Sequence, residues 1–273
     1  MFTLPIAQLS IHDPVSEGSW DITLAIHNPA AIFNVGYVID GMFFSSDGFK
    51  LYLVSETTDE INQYSLLTAW DPSTATDDLV PYNLYDNGGQ AQAQSMCIDE
   101  TGIHMYTAGN VPDEVCQHVL GTPWDLSTAS YVNKIALTEE TSINSVFVSS
   151  DGSKIYTCGH GTDFAYEYDL GTDWDITSAV YNSVSADLQP PEGSPQGMFF
   201  KPDGSQMWMV GMLTDIVYQY TLSTPWALST LIKDSAEYVV TNKESGPTGV
   251  FLGDDGNKMY TCGLSHEVNQ WDL

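Results

Sequence analysis

Five polar side chains recur at near-constant spacing: Asp40, Gln94, Asn144, Gln196 and Thr248, separated by 54, 50, 52 and 52 residues. One carboxylate, three amides and one hydroxyl gathered on one axis would offer oxygen donors. Such donors suit Ca²⁺ or Mg²⁺ better than Zn²⁺, which prefers His and Cys. Asp40 and Asn144 are therefore the candidate metal ligands and Ca²⁺ the candidate ion. The plainer reading of the same ring is ordered water plugging a narrow channel. A second set keeps the same period: Glu56, Asn110, His160, Met212 and Leu264, each following a small residue. Glu56, Asn110 and His160 join the five ring residues as candidate ligand-binding groups. His160 lies between Gly159 and Gly161. Beside Glu56 or Asp40 it would form an acid/base pair, because a carboxylate raises a His pKa toward neutrality; alone it is a solvated loop residue. No GxSxG, HExxH or phosphate-loop pattern occurs, so no catalytic residue is assigned.

The elements that must hold these positions are written out best between Gln196 and Leu228. There an apolar run (GMFF), a tight turn at Pro202-Asp203-Gly204, a second run (QMWMVG), a turn at Thr214-Asp215 and a third run (IVYQYTL) fit in under forty residues. The pattern returns five times. Its first turn recurs at Asp47-Gly48, Thr101-Gly102, Asp151-Gly152, Asp203-Gly204 and Asp255-Gly256, where Gly supplies the positive φ a tight hairpin demands. The second run carries Tyr52, Tyr106, Tyr156, Trp208 and Tyr260. A further turn repeats as SWDITLA, AWDPSTA, PWDLSTA, DWDITSA and PWALSTL, and its tryptophans are expected to wedge between units. Asp59, Asp113, Asp163 and Asp215 recur at one loop site, as turn caps. A period near fifty with several short strands per unit predicts an all-β, five-bladed β-propeller, four antiparallel strands per blade.

The blades start near residues 40, 94, 144, 196 and 248 of a single domain, 1–273. The last unit stops at Trp271-Asp272-Leu273, without a turn or fourth strand, and those parts stand at the front in Ser19 to Asn34. The closure segment, residues 1–38, is thus expected to complete the C-terminal blade and remove open sheet edges. Ile6 to Leu9 resembles a third strand but has no assigned place. Met1 to Asp13 has neither a basic region nor a long apolar core, so no signal peptide is expected, and no run reaches membrane-spanning length.

Thirty-six acidic residues face seven basic ones, for a formal net charge of −29, and every basic residue is Lys. Nucleic-acid and phosphate recognition lean on Arg forks and positive patches, so both are set aside. The four cysteines read as small buried hydrophobes: Cys158 and Cys262 hold the second-run position of Val54, Ala108 and Val210, and Cys97 stands where other units have Phe. Neither a disulfide framework nor a zinc site is expected.

The strand pair GMFF-x-PDG-x-x-MY-x-x-G together with the Trp-Asp turn resembles propeller repeats of many proteins of marine bacteria and their bacteriophages. More distantly it is similar to NHL, YVTN and senescence-marker/gluconolactonase-type propellers. The last likeness implies a calcium-dependent hydrolase, but that family's metal-binding carboxylates have no residue-by-residue counterparts here. Two function classes follow. One is a monomeric, non-catalytic recognition or structural module, virion- or surface-associated, binding a glycan or a protein at the mouth formed by the ring residues. The other is a Ca²⁺-dependent lactonase- or phosphoesterase-like hydrolase on the axis. The charge makes a prediction of its own: salt shortens self-repulsion to a Debye length below about 10 Å, so the melting temperature should rise with added NaCl. A flat response would disprove adaptation to a salty medium.

Overall fold

A computed structural model describes residues 18–273, so the strand-like Ile6 to Leu9 lies outside the described residues. The chain forms a five-bladed β-propeller of antiparallel sheets. Blade 4 shows the unit plainly: Pro195–Phe200 innermost, then Gln206–Gly211, Ile216–Leu222 and Leu231–Val239 at the outside. The inner strand is buried throughout, which is why it reads as a continuous apolar run, whereas the outer strand is half-buried or exposed at every position but Ala236. The inner strands begin at Gly41, Ala91, Ile143, Pro195 and Pro247. They crowd the axis closely enough that a Cβ on Gly197 would sit 2.7 Å from the Thr248 carbonyl of the next blade. The equivalent positions, Gly41, Ser95, Ser145 and Gly249, are all small for the same reason. At Ser95 and Ser145 the hydroxyl also accepts from the neighbouring inner strand, at Val146 N and Met198 N.

The Trp turn joins blades, and its sequence explains how. Asp21, Asp71, Asp125 and Asp175 each cap a one-turn 3₁₀ helix by accepting a backbone N–H two residues on, a bond Ala227 cannot make. The preceding Trp20, Trp70, Trp124, Trp174 and Trp226 all adopt left-handed backbone, with φ between 48° and 66°. This is an uncommon region for a bulky residue. Each Trp N–H donates to the carbonyl of the hairpin glycine of its own blade, for example Trp70 to Gly48 at 2.9 Å. Its ring lies on that glycine, where a Cβ would meet indole atoms at 2.3–2.6 Å. The carbonyl so presented accepts from the preceding blade: Tyr52 Oη to Trp124, Tyr106 to Trp174, Tyr156 to Trp226 and Tyr260 to Trp70, at 2.6–2.8 Å. In blade 4 the donor is absent, and Trp208 stacks on Trp20 with centroids 5.7 Å apart.

Trp20 belongs to the front of the chain and completes blade 5 as the sequence predicts. Ile26–His27 and Phe33–Asn34 pair with Glu267–Asp272 in the registers His27 to Trp271 and Phe33 to Val268, and Trp20 N donates to Gly256. Ile22 and Ile39 are fully buried in a core cluster that runs through blades 4, 5 and 1. Deleting residues 1–38 should abolish cooperative unfolding near the parental temperature, whereas Trp20→Ala, which removes one half-buried ring, should cost about 2–3 kcal/mol. A truncation that melts like the full chain would disprove this closure.

Candidate functional site

Asp40 immediately precedes its inner strand, and Gln94, Asn144, Gln196 and Thr248 are each second in the buried stretch of theirs, so the fold brings all five to one mouth of the axis. All five are buried. Their polar groups are spent largely on one another and on nearby backbone. Asp40 Oδ2 accepts from Glu56 N at 2.7 Å, and Gln94 Nε2 donates to Glu56 Oε2 at 2.6 Å, so Glu56 clasps two blades. Asn144 Nδ2 donates to Gln196 Oε1 at 2.5 Å, and Thr248 Oγ1 donates to the Ile39 carbonyl at 2.5 Å. Such mutual pairing satisfies groups that would otherwise be costly to bury.

This arrangement bears on a metal. Ca²⁺ takes six to eight oxygens, several of them carboxylate. Here Asp40 is the ring's one carboxylate, and the Asn144 and Gln196 side-chain oxygens are already acceptors. Among the described residues no cluster of three or more His, Cys, Asp or Glu could hold an ion. As arranged, the donor set does not fit Ca²⁺. Burial pushes the Asp40 carboxyl up to about 7, against the downward pull of the Glu56 N–H, and the Glu56 charge adds to the rise.

His160 is exposed and meets neither Asp40 nor Glu56 as a partner. Its Nδ1 lies 2.9 Å from Asn144 Oδ1, and Ser142 Oγ is 3.4 Å from Nδ1 and 3.2 Å from Nε2. An oxygen nearly equidistant from both nitrogens lies across the ring and along neither lone pair, so Ser142 and His160 are not aligned as nucleophile and base. Asn110 is half-buried, and its Oδ1 has no partner. Met212 and Leu264 are 38% and 44% exposed on the same rim.

The recurring loop aspartates reach beyond their own turns, where the sequence places them as caps. Asp59, Asp113 and Asp215 accept from backbone N–H groups of the next blade's entering segment, at Gln92, Ile143 and Gly246, and Asp163 accepts from Gln189 Nε2. A second anchor is absent from the sequence reading. Glu140, Glu192 and Glu244 are buried four residues ahead of Asn144, Gln196 and Thr248, and each holds the loop between second and third strands. Glu192, for instance, accepts from Leu213 N, Thr214 N and Thr214 Oγ1. Their regular offset, shared by Gln90 ahead of Gln94, was the available signal.

A cavity of about 390 Å³ opens at the other mouth of the axis, among the hairpin turns and the Trp turns. Its walls include Phe43, Phe147, Phe199 and Phe251, with Trp70, Trp124 and Trp226 around them. None of the eight candidate ligand residues lines it.

No protein-family model and no curated protein sequence matches the chain. Solved structures do resemble it. A functionally unknown protein from Desulfotomaculum acetoxidans is 13% identical with a TM-score of 0.52, aligned over 85% of this chain and 64% of its own. A "putative 6-phosphogluconolactonase" from Bacteroides fragilis is 14% identical, TM-score 0.51, over 82% and 63%. Another of that description, from Bacteroides uniformis, is 15% identical, TM-score 0.51, over 82% and 64%. The chain thus spans less than two thirds of the length of these proteins, and at such identities the likeness shows the propeller fold alone.

The raised Asp40 carboxyl sets a pH dependence. An unfolded Asp titrates near 3.9, so the stability tied to the protonated, buried form is complete below about 4 and lost as the pH rises through about 7. Asp40→Asn should therefore gain melting temperature over the parent at pH 8 and not at pH 4. A difference independent of pH would show that Asp40 is ionised throughout.

Proposed function

We propose that this propeller is a recognition or structural module that binds a glycan or a protein at the polar mouth. The observation that carries this reading is the division of that mouth into a buried ring whose polar groups are spent on bonds within the protein and an exposed rim whose residues differ from blade to blade. Glu56 offers a carboxylate and His160 an imidazole, while Met212, Leu264 and the neighbouring Leu213, 69% exposed, offer apolar surface. Varied side chains on loops fixed by a rigid scaffold are the usual composition of a binding surface. Covalent catalysis by a serine would need nucleophile and base in line, and Ser142 with His160 lacks that alignment. The acidic, Arg-free exterior suits display in a salty medium, on a virion or a cell surface.

Two of the solved folds carry lactonase names, and this favours a second reading, a hydrolase with Asp40 on the axis. A glycan array run beside an esterase and lactonase panel at millimolar Ca²⁺ separates the two. We expect array binding that falls about tenfold in the pair Met212→Ser and Leu264→Ser, a loss of roughly 1.4 kcal/mol, and no turnover. Turnover abolished by Asp40→Ala would establish the hydrolase instead.

A further inference from the structure

The cavity at the hairpin mouth has a chemistry of its own. Its floor is a chain of aromatic rings set by one inner-strand position: Phe43 to Phe251 at 5.2 Å between centroids, Phe251 to Phe199 at 4.6 Å, and Phe199 to Phe147 at 5.6 Å. The fifth blade in that ring, blade 2, carries Cys97, so the gap in the chain of rings falls between Phe43 and Phe147, both packed against the core cluster that contains Cys97. The two phenylalanines flanking the gap are half-buried, whereas Phe199 and Phe251 are 6% and 5% exposed. Among the inner-strand rings, the surface open to a ligand is therefore that of Phe43 and Phe147, with the half-buried Trp70, Trp124 and Trp226 beside them. Glu100, Asp254 and Asp255 stand at the cavity wall, and neither Lys nor His lines it.

Aromatic faces carry negative electrostatic potential and attract cations, more strongly when water is excluded. Carboxylates at the wall and a net charge of −29 deepen that potential. The repeat already displays the contact internally: Lys201 Nζ lies 5.4 Å from the ring centroid of Trp20, one of the five turn tryptophans. A neutral saccharide would need free donors and acceptors along the wall. Ser149 Oγ, however, is engaged with Asp151, and the Asp99 carboxylate with Thr101 and His104, which leaves the Ser46 and Ser150 hydroxyls as the wall's uncharged side-chain groups for such a ligand.

We propose that this cavity binds an organic cation, a quaternary or methylated ammonium group on a small apolar body. The ammonium rests against Phe43 and Phe147 at the Cys97 gap, and Glu100, Asp254 and Asp255 supply the longer-range attraction. The site lies at the opposite end of the axis from the polar mouth, so it stands or falls independently of glycan or protein binding there.

Calorimetric and tryptophan-fluorescence titrations test it with choline, benzyltrimethylammonium and the neutral isostere 3,3-dimethylbutanol. Both cations should saturate, with the isostere about tenfold weaker than choline or worse. Phe147→Leu should weaken cation binding about tenfold, and Cys97→Phe should abolish it by filling the gap. If Cys97→Phe does not fold, Phe43→Leu with an unchanged near-ultraviolet dichroism spectrum serves in its place. Glu100→Gln should lower the affinity several-fold at low salt and little at about 0.5 M NaCl, where the screening length is near 4 Å. Equal binding of choline and its isostere, failure of both cations to saturate, or full affinity in Phe147→Leu would each overturn the proposal. So would competition by a neutral oligosaccharide in place of the cations.

Discussion

The ring depends on a link repeated four times: a tyrosine hydroxyl on the second strand of one blade donates to the tryptophan carbonyl of the next. For the carbonyl to point that way the tryptophan must adopt left-handed backbone, which costs roughly 1–2 kcal/mol for an L-residue. The tryptophan is held there by its backbone N–H bond to the hairpin glycine carbonyl and by the flat surface that glycine leaves beneath the indole. Glycine, tryptophan and tyrosine are thus one device spread over two blades. A side chain at the glycine would displace the indole and misdirect the carbonyl, and so weaken a joint far from the substitution in sequence.

The two mouths of the axis are finished differently, as their position on the inner strands requires. At the strand starts, polar residues face a narrow axis where an unpaired group would be costly, and they pair across blades: Asn144 with Gln196, Gln94 with Glu56. At the strand ends, aromatic residues meet and leave open volume above them. Buried carboxylates at Glu140, Glu192 and Glu244 fix the loops of the first mouth by accepting from their N–H and hydroxyl groups. Of the exposed rim side chains, Met212 and Leu264 are free of such duties, whereas Glu56 joins two blades.

Much of this was legible in the sequence, and the division follows physical lines. Strand order, turn chemistry, blade number and the closing role of Ser19 to Asn34 are set by local periodicity, which a repeated sequence states several times over. The convergence of Asp40, Gln94, Asn144, Gln196 and Thr248 followed from that period. What periodicity does not carry is the choice of partner across blades. His160 turned to Asn144 and not to a carboxylate, and Asp59 reached the Gln92 N–H of the next blade instead of closing its own turn. Cys97 was visible as a departure from Phe, but the gap it opens exists only once five inner strands stand around an axis.

The joint between blades 4 and 5 is unlike the other four, because Trp208 has no hydroxyl to give and packs on Trp20 with the ring planes 30° apart. A directed hydroxyl-to-carbonyl bond fixes angle as well as distance, whereas a ring pair is held by contact area. The assembly is in effect four pinned joints and one glued seam, and the seam without a pin is the one made by the closing segment, whose Trp20 docks on the fully buried Trp208.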